Sequence, residues 1–189
     1  MGIFRRGGDA HALAVAMTGV NLGDRLLMIG CTDASLLGAI SSKVGLSGRA
    51  CAVVLNDADA TRARRGAEQA GALVEIEIAT PEAFPFEAGA FNLVVVDNQQ
   101  GLLSSARPER RVALLQQAFR ALAVRGRIII IERAPRAGLG ALLKPSDALP
   151  VDPHYQSSGG AVVALGAEGF RAARALADRE GLSFFEAVR

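Results

Sequence analysis

The chain has 189 residues, 50% of them hydrophobic and 21% charged, with a formal net charge of +2 and a mean hydropathy of +0.27. This composition suits one domain with a full hydrophobic core and excludes a disordered chain. No apolar run reaches the ~20 residues of a membrane-crossing helix. The small charge, with arginines in short groups (Arg62, Arg64, Arg65; Arg107, Arg110, Arg111), a single Tyr and no Trp, argues against nucleic acid as a partner.

Residues 1–20 read as a leading segment and a helix. The apolar part is short and broken by His11, unlike a signal peptide, and Arg6 stands where a myristoylation signal wants Ser or Thr. Next comes "RLLMIG" (25–30), a strand, and "DASLLGAISSKVG" (33–45), a helix with Asp33 as N-cap and Gly45 at its end. Together they outline the strand–turn–helix loop of a nucleotide site. "ACAVVL" (50–55) is β-rich, and "DATRARRGAEQAG" (59–71) puts Ala60, Ala63, Ala67 and Ala70 on one narrow face suited to close packing. Placed on neighbouring parallel strands, Cys31 and Cys51 lie roughly 15 Å apart, beyond the ~7 Å reach of a disulfide. Free thiols fit a reducing, cytoplasmic setting.

"LVEIEIA" (73–79) alternates, as in a strand with one face less buried. "FNLVVVD" (91–97) and "RIIIIE" (127–132) are uninterrupted apolar strands from the middle of a parallel sheet, flanking the helix "RPERRVALLQQAFRALA" (107–123) with Pro108 in its first turn. Such alternation predicts a single α/β domain over 1–189, a doubly wound, Rossmann-like sheet with a ligand crevice at the carboxyl ends of its strands. From 133 to 158 the pattern fails, which predicts a lid-like loop with Leu139, Leu142 and Leu143 facing the crevice or a partner. A homodimer or protein partner could use the same loop. The tail 169–189 reads as two segments joined at "REG": "LSFFEAV" is a strand, while the alanines of "FRAARALAD" leave helix or strand open.

"PEAFPFEAGAFNLVVVDN" (81–98) resembles the "AEALPFEDGSFDLVVV" segment of class I S-adenosylmethionine-dependent methyltransferases, closest to the ubiquinone/menaquinone-biosynthesis type. Residues 108–132 are similar to that family's helix and fifth strand, and 169–188 to its closing hairpin. The resemblance implies strand order 3-2-1-4-5-7-6 with the last strand antiparallel, and makes "FRAARALAD" a strand. It also implies S-adenosylmethionine as cofactor. A nicotinamide site, by contrast, would want G-x-G-x-x-G after the first strand.

The cofactor motifs depart from the family pattern. Where its first loop reads E-x-G-x-G-x-G, Met28 replaces the acid and only Gly30 remains, with Thr32 and Ala34 at later positions. The acid expected on the ribose falls at Val54, unless the second strand ends later and Asp57 supplies it, with Asn56, Asp57 and Asp59 otherwise serving as turn and capping residues. The family's Asp beside the adenine corresponds to Thr80. A Thr32 forced to positive φ would carry about 1–3 kcal/mol of strain. Gly30, Cys31, Thr32, Ala34, Asn56, Asp57, Thr80, Asp97 and Asn98 are therefore the expected cofactor-binding set, with weak or absent affinity. His154 and Tyr155 are the candidates for a catalytic base, and Glu132 could orient an acceptor. No metal site is expected. The implied activity is methyl transfer to a small, apolar acceptor. The alternative is a non-catalytic, methyltransferase-like binding or scaffolding subunit.

Overall fold

Seven apolar or alternating segments pair into one sheet in the computed structural model, which describes residues 11–134 and 150–189. The strands are β1 (Arg25–Ile29), β2 (Arg49–Val54), β3 (Glu75–Ile78), β4 (Phe91–Asp97), β5 (Leu122–Arg133), β6 (Arg171–Arg179) and β7 (Leu182–Val188). Their order is β3-β2-β1-β4-β5-β7-β6, with β7 antiparallel to both β5 and β6. The expected topology is observed. "FRAARALAD" is a strand because it closes a hairpin on β7 through the turn at Gly181, where φ is +76°. A helix there would have left one edge of β7 unpaired.

Alternation along each central strand sends side chains to two apolar layers. Leu26, Met28, Leu93 and Val95 pack beneath α1 (Ala12–Thr18), α2 (Ala34–Val44) and α3 (Asp57–Ala70). Leu27, Ile29, Val94 and Val96 pack on the opposite face with α4 (Pro108–Ala121), α5 (Pro153–Ser157) and α6 (Gly160–Ala167). The caps read in the sequence are present: Asp33 accepts from the N–H groups of Ser35 and Leu36, and Pro108 opens α4.

Three local expectations change. The alanine face of α3 serves packing against α2 as well as the sheet: a Cβ on Gly66 would lie 2.0 Å from the Ala34 carbonyl oxygen, and one on Gly38 would lie 2.5 Å from that of Gly66. Only two glycines let these backbones cross so closely. β5 begins at Leu122, directly after α4, because Arg125 at φ +64° absorbs an irregularity where Phe91 pairs with Leu122 and Leu93 with Arg127. The loop expected over 133–158 contains α5 at its end, held by the Asp152 cap on His154 N–H. Leu139, Leu142 and Leu143 lie outside the described residues. Cys31 and Cys51 are both buried free thiols, and no described helix is long and apolar enough to cross a membrane.

Candidate functional site

The carboxyl end of β1 turns into α2 through Gly30, Cys31, Thr32 and Asp33. Gly30 adopts φ +84°, and a Cβ there would approach Leu102 Cδ2 to 3.0 Å and the Asp97 carbonyl oxygen to 3.1 Å. The bend therefore falls on the one glycine of the loop. Thr32 does not adopt positive φ, so the expected strain is not incurred. Its N–H instead donates to Asp97 Oδ2 at 2.7 Å.

Asp97 and Asn98 end β4, and alternation points them to opposite sides. Asp97 is buried beneath the first loop, and its Oδ1 accepts from the Gln99 backbone and side chain at 3.3 and 3.2 Å. Burial raises its carboxyl above the ordinary range, although the N–H groups of Thr32 and Gln99 oppose that shift. Asn98 faces the other layer. Its Oδ1 accepts from the N–H groups of Leu103 and Ser104, and its Nδ2 donates to Glu132 Oε1 at 2.7 Å. Tyr155, buried on α5, donates its hydroxyl to the same Oε1 at 2.5 Å. Burial raises both Glu132 and Tyr155 above their ordinary values, and the nearby carboxylate pushes the phenol further. Arg111 holds this corner together: it pairs with Asp152 at 3.2 Å and lies over the Tyr155 ring, 4.9 Å from its centroid.

Two cavities open at these strand ends. The first, about 260 Å³, lies between β1, β2 and β4 and is walled by Gly30, Cys31, Thr32, Leu55, Asp97 and Leu102, with Asp59, Arg62 and Arg110 at its mouth. The second, about 280 Å³, is walled by Asn98, Glu132, Tyr155, Ala161, Ser183 and Phe185. Gly101 borders both.

The expected site residues divide accordingly. Gly30, Cys31, Thr32 and Asp97 meet in the first cavity; Asn98 and Tyr155 meet in the second. Ala34 lies instead against Gly66. Asn56 spends its side chain as the α3 cap, accepting from Asp59 N–H at 2.9 Å. Asp57, exposed in the first turn of α3, and Thr80, exposed and bridged to Ala83, line neither cavity. Exposed His154 lines neither as well. β2 ends at Val54, itself buried in the core, and of the acids that follow it Asp59, not Asp57, joins Asp97 in lining the first cavity. Arg62, one of the grouped arginines, crosses the mouth: its Nη1 donates to Asp59 Oδ1 at 2.7 Å and to the Cys31 carbonyl at 2.9 Å. The i, i+3 spacing of Asp59 and Arg62 was the available signal. The Cys31 thiol is pushed up to about 12 by burial and by Asp97, so it remains a neutral wall rather than a nucleophile.

Searches of solved structures find this architecture repeatedly. A SAM-dependent methyltransferase from Aquifex aeolicus superposes with a TM-score of 0.69, is 17% identical, and is matched over 93% of this chain and 87% of its own. PigF, solved with SAH, gives 0.64 at 17% identity, and this chain spans 54% of it. The chain has the fold of the S-adenosylmethionine-dependent methyltransferases. The [4+2]-cyclase SpnF also shares this methyltransferase fold, with a TM-score of 0.65 at 15% identity over 94% of this chain and 78% of its own. Fold and reaction are thus separable, and the residues of the site must carry the functional argument. No protein-family model and no curated protein matches the sequence.

The donor set of the first cavity fits S-adenosylmethionine. Carboxylates Asp97 and Asp59 can accept from an ammonium and a ribose diol, Arg110 can meet a carboxylate, and Leu55 and Leu102 offer apolar walls. The volume of about 260 Å³ lies just below the ~300–1,000 Å³ typical of ligand pockets.

Proposed function

We propose that the chain is a methyltransferase that holds S-adenosylmethionine weakly in the β1–β2–β4 cavity and a small, apolar acceptor in the neighbouring one. The observation that carries this reading is the division at the end of β4: Asp97 serves one cavity, Asn98 the other, and Gly101 borders both. When bound, the cofactor supplies an electrophilic methyl group. Asp97 and the Gly30 turn orient its amino-acid end, Asp59 receives the ribose, and Asn98, Glu132 and Tyr155 position the acceptor. Two adjacent sites of this kind favour transfer through alignment more than through a dedicated catalytic group. The likeness of 81–98 to the quinone-biosynthesis methyltransferases supports an apolar acceptor.

Weak affinity follows from Asp59 already being engaged by Arg62, and from the lack of a carboxylate at the end of β2. Calorimetry with S-adenosylhomocysteine tests the reading, with dissociation constants of roughly tens of micromolar to millimolar expected from the lost hydrogen bonds. No binding to folded protein at millimolar ligand would leave the binding or scaffolding subunit as the surviving reading. The Arg62 bridge across the cavity mouth is the observation that favours that alternative.

A further inference from the structure

Glu132 is the half-buried carboxylate in the wall of the second cavity. Its Oε1 already accepts two hydrogen bonds, from Asn98 Nδ2 and the Tyr155 hydroxyl. Both donors are fixed. Asn98 cannot flip, because its oxygen accepts from the backbone N–H groups of Leu103 and Ser104, and Tyr155 is held under Arg111. The other oxygen, Oε2, has no partner among the described residues. Glu132, in the cavity wall with Ala161 and Phe185, thus keeps one carboxylate oxygen that no described residue uses.

We propose that Glu132 Oε2 makes the second cavity selective for apolar ligands carrying a hydroxyl or amine donor, and against ligands of the same shape that offer only an acceptor at that point. Such a donor is what an oxygen or nitrogen acceptor of a methyl group carries before transfer and lacks once a hydroxyl has been methylated. The same carboxylate thus separates a hydroxyl substrate from its methylated product. The inference rests on reading this cavity as the acceptor site, but it concerns binding alone and requires no cofactor.

The test compares 2-naphthol with 2-methoxynaphthalene, binding of each being measured by ligand-detected NMR near pH ~8, above the ordinary carboxyl range, without cofactor. The parent protein should bind the naphthol about tenfold or more tightly, as expected for a hydrogen bond to a charged group. In Glu132→Gln the amide oxygen must stay on the Asn98 and Tyr155 donors, which turns the NH₂ toward the cavity. The preference should then vanish or reverse toward the methoxy probe. Equal affinities in the parent, an unchanged preference in Glu132→Gln, or failure of both probes to bind folded protein would each overturn the proposal. Calorimetry with S-adenosylhomocysteine on the same samples reports the first cavity separately, so a failure there is distinguishable from a failure here.

Discussion

Replacing Arg62 by Ala should strengthen cofactor binding, an unusual direction for removing a cation from a site mouth. The guanidinium makes two bonds there, 2.7 Å to Asp59 and 2.9 Å to the Cys31 carbonyl. The Arg62 side chain is 43% exposed, so the ion pair contributes only about 0–1 kcal/mol after solvent screening. The bond to the carbonyl adds about 0.5–1.5 kcal/mol. A ligand entering between them must displace both. Removing that competition, about 0.5–2.5 kcal/mol in all, should tighten S-adenosylhomocysteine by roughly two- to sixtyfold, and the shortened side chain also widens the mouth. Calorimetry on parent and variant gives the ratio, with thermal denaturation confirming an intact fold. Weaker binding by Arg62→Ala would refute the reasoning and make Arg62 itself a ligand for the cofactor's carboxylate.

Gly66→Ala should lower stability by about 3 kcal/mol or more, because the new Cβ meets backbone that cannot swing aside; the melting temperature should fall by roughly 6–12 °C. Raised carboxyl values at Asp97 and Glu132 contribute stability that is full below the ordinary carboxylate range and is lost as pH rises through the raised values. Urea titrations from acid to neutral pH should therefore show Glu132→Gln gaining on the parent as pH increases, at about 1.4 kcal/mol for each unit by which the group is raised; a constant difference would contradict the assignment. Arg111→Ala removes the Asp152 pair and the bonds to the Leu103 and Ala106 carbonyls, and should make amides of 152–158 exchange faster while those of β4 stay protected.

The central strands were legible in the sequence because their apolar runs are long and their side-chain periods unmistakable; "RIIIIE" can hardly pack otherwise. Asp33, Gly45 and Pro108 could be placed because capping is local chemistry. The cofactor side was less legible. An uncertainty of two or three residues in the end of β2 decides whether Asp57 can stand for the missing acid, and only pairing to β1 and β3 resolves it, with Val54 opposite Ile78. Arg62 looked like an ordinary surface cation because nothing in its own segment reveals the Cys31 carbonyl, 31 residues away. α6 escaped notice for a different reason. "GAVVALGA" is apolar on every side and begins and ends with small residues, so it carries no helical period to read.

Asp97 and Glu132 show how one parallel strand pair could serve two ligands. Asp97 pairs with Ile131 along β4 and β5; Asn98 follows β4 directly, while Glu132 continues β5, paired with Ser183 of β7. Asp97 spends its oxygens on the Thr32 and Gln99 N–H groups, which fixes the first loop before any ligand arrives. Asn98 spends its oxygen on Leu103 and Ser104, which fixes the segment dividing the cavities. Neither residue can turn without releasing buried N–H groups, each of which would lose about 1–3 kcal/mol of satisfied hydrogen bonding. The wall between the cavities is thus stiff, whereas at the mouth of the first the exposed Arg62 is bound to Asp59 and to the Cys31 carbonyl. Access should be governed at Arg62 and selectivity at Glu132, so substitutions at the first should change cofactor affinity without changing which acceptor analogue is preferred.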